Sequence, residues 1–198
     1  MKTDHLLFGA AYYSEYLPYD RVEKDMEMME KAGMNTIRIA ESTWSTIEPK
    51  DGIFDFTHLD KMLEAAARHH ISVIVGTPTY AIPAWLAKKY PDILRTEFSG
   101  MKRKFGGRHN SCPNSPTFRK YSVALARALA LHYKDQNNIV AWHVSNEYGE
   151  ACYCENCEKA FRVWLRKRYG TLENLNYAWN TRFWGHTFYE WDEIVAPN

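Results

Sequence analysis

The sequence lacks the features that would assign it to a membrane, a secreted or a nucleic-acid-binding class. Its 25 lysine and arginine residues balance 24 aspartate and glutamate residues, so it has neither the basic surface typical of nucleic-acid binding nor an acidic tail. No run approaches the roughly 18 apolar residues of a membrane span, and the segment from Met1 to His5 precedes no apolar signal region. We therefore expect a cytoplasmic protein with no nucleic-acid or membrane partner.

The chain instead alternates between predicted strands and predicted helices. With 198 residues, of which 45% are hydrophobic, it can bury a large core, which excludes intrinsic disorder. Apolar runs predict four strands, at residues 6–13, 35–40, 71–77 and 138–145. Apolar residues at helical spacing predict helices with their N-caps at Asp20, Thr57 and Ser115, and two more from about residue 158 and after Thr171.

Repeated alternation of strand and helix is typical of a parallel α/β sheet, either an open doubly wound sheet or a (β/α)8 barrel. No glycine-rich phosphate loop follows the first strand, which disfavours the nucleotide-binding form of the open sheet. The long loop at residues 80–115 favours the barrel, because barrel enzymes carry their active-site loops after strands. A barrel needs about 250 residues. We therefore expect about the first four β/α units of a TIM barrel, with residues 1–198 forming the N-terminal part of an incomplete catalytic domain.

A carboxylate follows the fourth predicted strand. By strand alternation Glu147 shares a face with Ser145, His143 and Ala141, whose small or polar side chains suit the inside of a barrel. Catalytic groups of barrel enzymes lie at the rim formed by the carboxyl ends of the strands. A partly desolvated carboxyl there would have a raised pKa and could act as a general acid/base. Asn146 could hydrogen-bond a substrate hydroxyl beside it. Spacing alone also fits an ordinary solvated glutamate, so that alternative stays open.

Four cysteines have the spacing of a metal site. Cys152, Cys154 and Cys157 lie close together, as in a zinc knuckle, and Cys112 in the preceding long loop can complete the set. Four thiolates fill a tetrahedral zinc ion and leave no open position, so the predicted role is structural. The ion would tie the loop after the third strand to the loop after the fourth. Free reduced thiols and a disulfide are the alternatives.

Two arginines and one histidine are further candidates. Arg38 lies within the second strand and Glu41 closes that strand, so the two either pair with each other or line the site. Arg108 lies in the long loop, where an isolated arginine is ordinarily solvated. We expect His143 to be a satisfied interior residue.

The tryptophans fall into two groups. Trp85 and Trp142 have apolar neighbours in the sequence and are predicted to lie in the core. Other aromatic residues lie in or near predicted loops, where they either stack on a sugar ring or pack in the core: Trp44, Tyr80, Trp179 and Trp184.

Taken together, these motifs resemble glycoside hydrolase family 42, the zinc-containing bacterial β-galactosidases. The resemblance covers the whole chain, and its most specific part is Cys-Pro-Asn-Ser-Pro at residues 112–116 together with the three later cysteines. The remaining matching stretches are residues 33–41, 44–49, 76–79, 83–86, 108–109 and 146–149.

The resemblance implies a (β/α)8 barrel that hydrolyses terminal β-D-galactosides with retention of configuration. It implies that Glu147 is the general acid/base. It also implies that the substrate is bound by Arg108, Asn146, Trp184 and Arg38. The four cysteines match the zinc ligands of the family.

The resemblance also implies that part of the site lies outside this chain. The nucleophile of the family is a second carboxylate about 5 Å from the acid/base, and it comes from a later strand, whereas no glutamate after Tyr169 follows a convincing strand. We therefore expect the chain alone to be inactive, and the complete enzyme to form a homo-oligomer, commonly a trimer in this family. The alternatives are a barrel glycosidase for another β-linked sugar and a zinc-stabilised binding module without catalysis.

Overall fold

The structure is a computed structural model, and it describes residues 6–197. In this part of the chain four parallel strands form one sheet, and each strand pairs with its neighbour in the sequence. A doubly wound sheet would reverse its strand order at a switch point, so the sequential order favours the wall of a barrel. The strands are β1 (Gly9–Ala11), β2 (Thr36–Ile39), β3 (Ser72–Thr77) and β4 (Ile139–Val144).

Helices connect the strands and continue after the last one. None of the helices within residues 6–197 has the length and apolar character that crossing a membrane requires. The helices are α1 (Val22–Lys31), α2 (Trp44–Ile47), α3 (Thr57–Arg68), α4 (Ala84–Lys89), α5 (Pro116–His132), α6 (Glu155–Tyr169) and α7 (Leu172–Trp179). Short 3₁₀ turns lie at Ser14–Tyr16, Pro91–Ile93, Phe183–Gly185 and Trp191–Glu193.

The core lies on the face of β2 and β3 that the helices cover. Ile37 pairs with Val73 and Ile39 pairs with Val75 in the parallel register, so all four side chains point to the same face. Each of the four has an exposed fraction of 0%. Apolar residues of α1, α3 and α5 pack in the same cluster. Burial of this apolar surface is the main driving force for folding of this part of the chain.

The opposite face of the sheet carries small and polar side chains together with Ile74. Arg38 pairs with Ile74, and Gly76 pairs with His143, so these residues share the face that would look into a closed barrel. Glycine suits position 76, because a Cβ atom there would lie 3.1 Å from the backbone of Ile39 and of Glu41, which is a tight contact.

The predicted helix starts are partly correct. Ser115 is the N-cap of α5, as predicted, and its hydroxyl accepts a hydrogen bond from the Phe118 amide at 3.2 Å. The predicted cap at Asp20 is wrong by one residue, because α1 begins at Val22 after the N-cap Arg21. The predicted cap at Thr57 is also wrong by one residue, because Thr57 is already the first residue of α3.

Two tryptophans depart from expectation. Trp44 is fully buried in α2, where its indole Nε1 donates to Glu48 Oε2 at 2.8 Å, so it is a core residue rather than a surface for a sugar. Trp142 has an exposed fraction of 39%. Its predicted place in the core is wrong for this chain, because β4 is an edge strand within the described residues and α6 packs against α7 instead. Trp85 packs against the core, as predicted.

A small second cluster forms after β4. Its fully buried residues are Leu165, Leu175 and Ile194, and partly buried aromatic side chains surround them. Helices α6 and α7 therefore pack chiefly on each other and on the segment that follows them.

Candidate active site at the carboxyl ends of the strands

The backbone turns sharply where β4 ends. Ser145 and Glu147 have φ values of 57° and 43°, in the left-handed region that non-glycine residues seldom adopt. The Ser145 amide donates to Thr77 Oγ1 at 2.8 Å, which ties the turn to the end of β3. The alternation that placed Glu147 on the inner face therefore ends at Val144. The turn, rather than the strand, sets the direction of the Glu147 side chain.

Glu147 forms an ion pair with Arg108 from the loop after β3. The Glu147 Oε2 and Arg108 Nη1 atoms are 2.7 Å apart, and the two side chains are 59% and 57% exposed. The partial desolvation predicted for Glu147 is therefore not present in this chain. The reason is the position of β4, which has a strand neighbour on one side only among the described residues.

A second group of charged residues lies at the end of β2. Arg38 pairs with Glu41 at 3.0 Å, so the predicted pairing alternative is confirmed. Glu41 is only 3% exposed, and the Tyr13 hydroxyl donates to its Oε2 at 2.5 Å. This hydrogen bond to a carboxylate raises the pKa of Tyr13.

His143 lies beside this group but is not fully satisfied. Its Nδ1 atom is buried, has no hydrogen-bond partner, and lies 3.6 Å from Glu41 Oε1. The expectation of a satisfied interior histidine is therefore wrong for this nitrogen.

The other two predicted substrate contacts lie in different surroundings. Asn146 lines a cavity of about 500 Å³ between the loops that follow β3 and β4. Trp184 is 81% exposed, and its ring stacks on Phe183 with centroids 4.9 Å apart and meets His186 edge-on. The structure thus joins Glu147 directly to Arg108, and Asn146 precedes Glu147 in the chain. It gives Arg38 a different partner and gives Trp184 contacts within its own segment.

The four cysteines come together as the sequence predicts. Their sulfur atoms all lie within 4.8 Å of one another, and Cys112 Sγ is 3.4 Å from both Cys154 Sγ and Cys157 Sγ. A disulfide would need about 2.05 Å, and all four thiols are free. The disulfide alternative is therefore wrong. The cluster joins the loop after β3 to the loop after β4.

The cluster has the size of a tetrahedral metal site. Four sulfur ligands at the usual zinc–sulfur distance of about 2.3 Å would lie about 3.8 Å from one another, which falls within the observed range. The backbone supports the arrangement, because the Cys112 amide donates to Ile93 O at 2.7 Å and the Tyr153 amide donates to Thr96 O at 2.9 Å. A divalent cation would also offset the repulsion among four ionised thiols.

Sequence reasoning missed two residues at this rim. Tyr13 contacts Glu41, and its position two residues after β1 is the one signal that could have indicated a rim residue. Arg95 is 6% exposed and donates to three backbone carbonyls in the loops that flank the rim. Nothing in the sequence distinguishes Arg95 from an ordinary loop arginine.

These features define a class of protein. A parallel wall of sequential strands that carries a carboxylate, an arginine and an amide at its carboxyl end is the arrangement of a (β/α)8 barrel enzyme. The family model of the glycoside hydrolase family 42 β-galactosidases matches residues 11–198, and the chain belongs to this family.

Individual relatives agree with the family match. β-Galactosidase BgaP of Planococcus sp. (strain L4) is 54% identical over 198 residues, which is 100% of this chain and 29% of the relative. The crystal structure of a β-galactosidase from Bacillus circulans sp. alkalophilus is 55% identical with a TM-score of 0.90, covering 97% of this chain and 28% of that one. The crystal structure of the β-galactosidase from Rahnella sp. R3 is 39% identical with a TM-score of 0.94. The match covers 100% of this chain and 29% of that one.

The comparisons confirm the predicted fold class. The described strands and helices correspond to about the first four β/α units of the family's (β/α)8 barrel. The chain spans less than a third of the length of the relatives that it matches.

Proposed function

We propose that residues 1–198 are the N-terminal part of the catalytic barrel of a retaining β-galactosidase, which cleaves terminal β-D-galactosides. The observation that carries the proposal is the pair of Glu147 and Arg108 at the carboxyl end of β4 in a family 42 chain. The relatives BgaP of Planococcus sp. (strain L4) and LacZ of Lactobacillus acidophilus are β-galactosidases.

In this proposal Glu147 is the general acid/base. It protonates the glycosidic oxygen as the leaving group departs, and it later removes a proton from the water that attacks the glycosyl-enzyme. The nucleophile is a second carboxylate about 5 Å away, supplied by a later part of the full-length protein. In keeping with this division, a solved catalytic mutant of the family 42 β-galactosidase Gan42B from G. stearothermophilus replaces a glutamate numbered well past the length of this chain by alanine.

Four further residues are proposed to bind the galactosyl unit. Arg108, Arg38 and Asn146 offer N–H donors to sugar hydroxyls. Trp184 offers an exposed ring face on which the apolar face of a sugar can stack. Arg108 also keeps a positive charge beside Glu147, so its loss should affect both binding and proton transfer.

The proposed metal is structural zinc held by Cys112, Cys152, Cys154 and Cys157. The separations of the sulfur atoms and the all-thiolate donor set support zinc rather than a hard cation such as magnesium. With four protein ligands the ion has no open position for substrate. Its contribution is to fix the loops after β3 and β4 relative to each other.

Other parts of the proposal concern the full-length protein. We expect this chain alone to be inactive because it holds one of the two carboxylates that the reaction needs. We also expect a homo-oligomer, a trimer, for the complete enzyme. The free thiols fit a reducing cytoplasm.

The proposal is tested in the full-length protein with two galactosides that differ in their leaving group. Glu147→Gln should reduce kcat/KM for methyl β-galactoside by about 10²–10⁴-fold, because methanol needs a proton to leave. The loss on dinitrophenyl β-galactoside should be much smaller, because dinitrophenolate departs without protonation. Glu173→Gln, at an exposed position in α7, is the matched control and should leave both rates unchanged.

Three results would contradict the proposal. Equal losses on both substrates would remove Glu147 from the acid/base role. A preference for another β-linked sugar in a substrate panel would identify a related glycosidase. An absence of hydrolysis together with retained metal would favour a binding module.

A further inference from the structure

The loop that carries Glu147 holds an unusual backbone. Ser145, Glu147 and Glu150 all have positive φ values, between 43° and 59°. Such conformations persist only where the surrounding structure holds them in place. Glu147 itself is more than half exposed, so its own packing cannot supply the restraint. The Thr77 hydroxyl holds the Ser145 end of the loop, so another group must hold the part near Glu150.

Arg95 has the contacts that this restraint needs. Its Nη1 donates to Glu150 O at 2.6 Å and to Gly149 O at 3.2 Å, both in the loop after β4. Its Nε donates to Ser111 O at 2.9 Å, in the loop after β3. One guanidinium group therefore bridges the backbones of the two loops. Arginine suits this task because its planar group offers five donors in fixed directions and stays charged.

Arg95 is itself well fixed. It is only 6% exposed. Its amide donates to Asn110 O at 2.7 Å, and its carbonyl accepts from the Arg103 amide at 2.8 Å. Because the backbone of Arg95 is held in the loop after β3, its side chain can fix the loop after β4 relative to that loop.

The bridge acts on both members of the ion pair at the rim. Gly149 and Glu150 follow Glu147 by two and three residues, and Ser111 follows Arg108 by three. We propose that Arg95 is a positioning residue that fixes Glu147 relative to Arg108. It does so through the backbone of the loop, from the wall of the cavity that Asn146 also lines. This inference rests on the proposed function, since it assigns Arg95 a part in the delivery of a proton by Glu147.

Arg103 joins the same loops in a different way. It bonds the side chains of Glu97 and Glu150, and its own side chain is 27% exposed. Arg95 places three hydrogen bonds on backbone carbonyls, whereas Arg103 reaches only His109 O, at 3.4 Å, and otherwise bonds partly exposed carboxylates, which restrain the backbone little. We therefore expect Arg103 to contribute less than Arg95.

The test compares Arg95→Met and Arg95→Lys in the full-length protein. Methionine keeps much of the length and removes every donor. Lysine keeps the charge but places its donors on one nitrogen, whereas Arg95 uses both Nε and Nη1. Arg119→Met is the control. Arg119 donates to Pro113 O and Asn114 Oδ1, directly after Cys112, and makes none of its hydrogen bonds within the described residues to residues 145–150. The substrates are methyl and dinitrophenyl β-galactoside. Amide hydrogen exchange of residues 145–150 is measured on the same proteins.

We expect Arg95→Met to lower kcat/KM for methyl β-galactoside by about 100-fold and that for dinitrophenyl β-galactoside by less than about 5-fold, because a misplaced acid hinders the departure of the poorer leaving group. Exchange of residues 145–150 should rise at least about 10-fold while that of β3 stays unchanged. Arg95→Lys should lie between Arg95→Met and wild type. Zinc content should stay the same in all variants.

Equal losses on the two substrates would overturn the inference, and so would unchanged exchange in the loop. Failure of both Arg95 variants to fold would also overturn it, because Arg95 would then hold the domain rather than the loop. If the wild-type protein hydrolyses neither galactoside, the proposed function is wrong. The exchange measurement still decides in that case whether Arg95 holds the loop.

Discussion

The middle of the sheet and its β4 edge share the same outer face but differ greatly in their contact with water. Val75 in β3 is 0% exposed, whereas Val144 in the neighbouring β4 is 64% exposed. Helices α1, α3 and α5 supply the apolar cover over β2 and β3, and α6 packs on α7 rather than over β4. The helices of this chain therefore cover the middle of the sheet and leave the outer face of β4 exposed.

The proposed chemistry lies in the less packed of the two regions. Glu147 and Arg108 are both more than half exposed, and the loop between them and the cysteines has strained backbone. Regions with few buried contacts open most easily, so the rim depends on specific restraints instead of on the core. The cysteine cluster and Arg95 are the restraints that the structure offers.

The largest effect should come from loss of the zinc ion that we propose for the cysteine cluster. Removing the ion with a chelator, or changing Cys112 to Ser, should free the loops after β3 and β4, because apparent binding energies of structural zinc reach about 10–16 kcal/mol. The middle of the sheet should stay folded, since its core does not include the cysteines. Metal analysis combined with hydrogen exchange checks this outcome. Loss of protection throughout β2 and β3 would contradict the independence of the two regions.

A pair of leucine substitutions should separate the main core from the second cluster. Leu63 and Leu175 are 1% and 0% exposed, so their removal exposes similar surfaces. Leu63→Ala should destabilise the main domain by about 2–5 kcal/mol. Leu175→Ala should loosen only the segment from α6 onwards, because its cluster has three buried residues.

Denaturant unfolding followed by circular dichroism and by exchange distinguishes the two leucine variants. Leu175→Ala should leave the denaturant midpoint for unfolding of β2 and β3 unchanged, because Leu175 lies outside the main core. A single transition shifted equally by both substitutions would show that the two clusters form one cooperative unit.

The smallest effect should come from the edge strand. Val75→Thr buries a hydroxyl in the core and should cost about 1–3 kcal/mol, whereas Val144→Thr at an exposed position should change stability by less than about 0.5 kcal/mol. The free energy of unfolding of the two variants of this chain measures the difference. In the full-length protein the difference between the stability costs of Val75→Thr and Val144→Thr should be smaller, since further strands and helices would cover β4. A difference of the same size there would count against closure of the barrel next to β4.

Sequence patterns predicted the strands and helices of this fold better than they predicted the burial and contacts of individual side chains. Four strands in sequential parallel order follow from apolar runs separated by helical periodicity, and the cap at Ser115 follows from its preference for that position. The cysteine cluster followed from spacing, because three thiols within six residues need a distant fourth partner. These features depend on local chemistry, which a sequence displays directly.

The remaining features depend on distant contacts. The burial of Trp44 in α2 and the exposure of Trp142 in β4 follow from how the helices pack on the sheet, which periodicity does not reveal. The turn at Ser145 and Glu147 broke the alternation on which the predicted direction of Glu147 relied. Arg95 had no signal at all, because its role arises from carbonyl groups more than fifty residues further along the chain.

The most direct test of the account uses azide in the full-length protein. Glu147→Gly should hydrolyse dinitrophenyl β-galactoside slowly, because the glycosyl-enzyme accumulates without a base to activate water. Azide needs no such base, so it should raise the turnover and yield β-galactosyl azide, with the configuration retained because the nucleophile is intact. Formation of α-galactosyl azide, or no response to azide, would contradict the assignment of Glu147 as the acid/base.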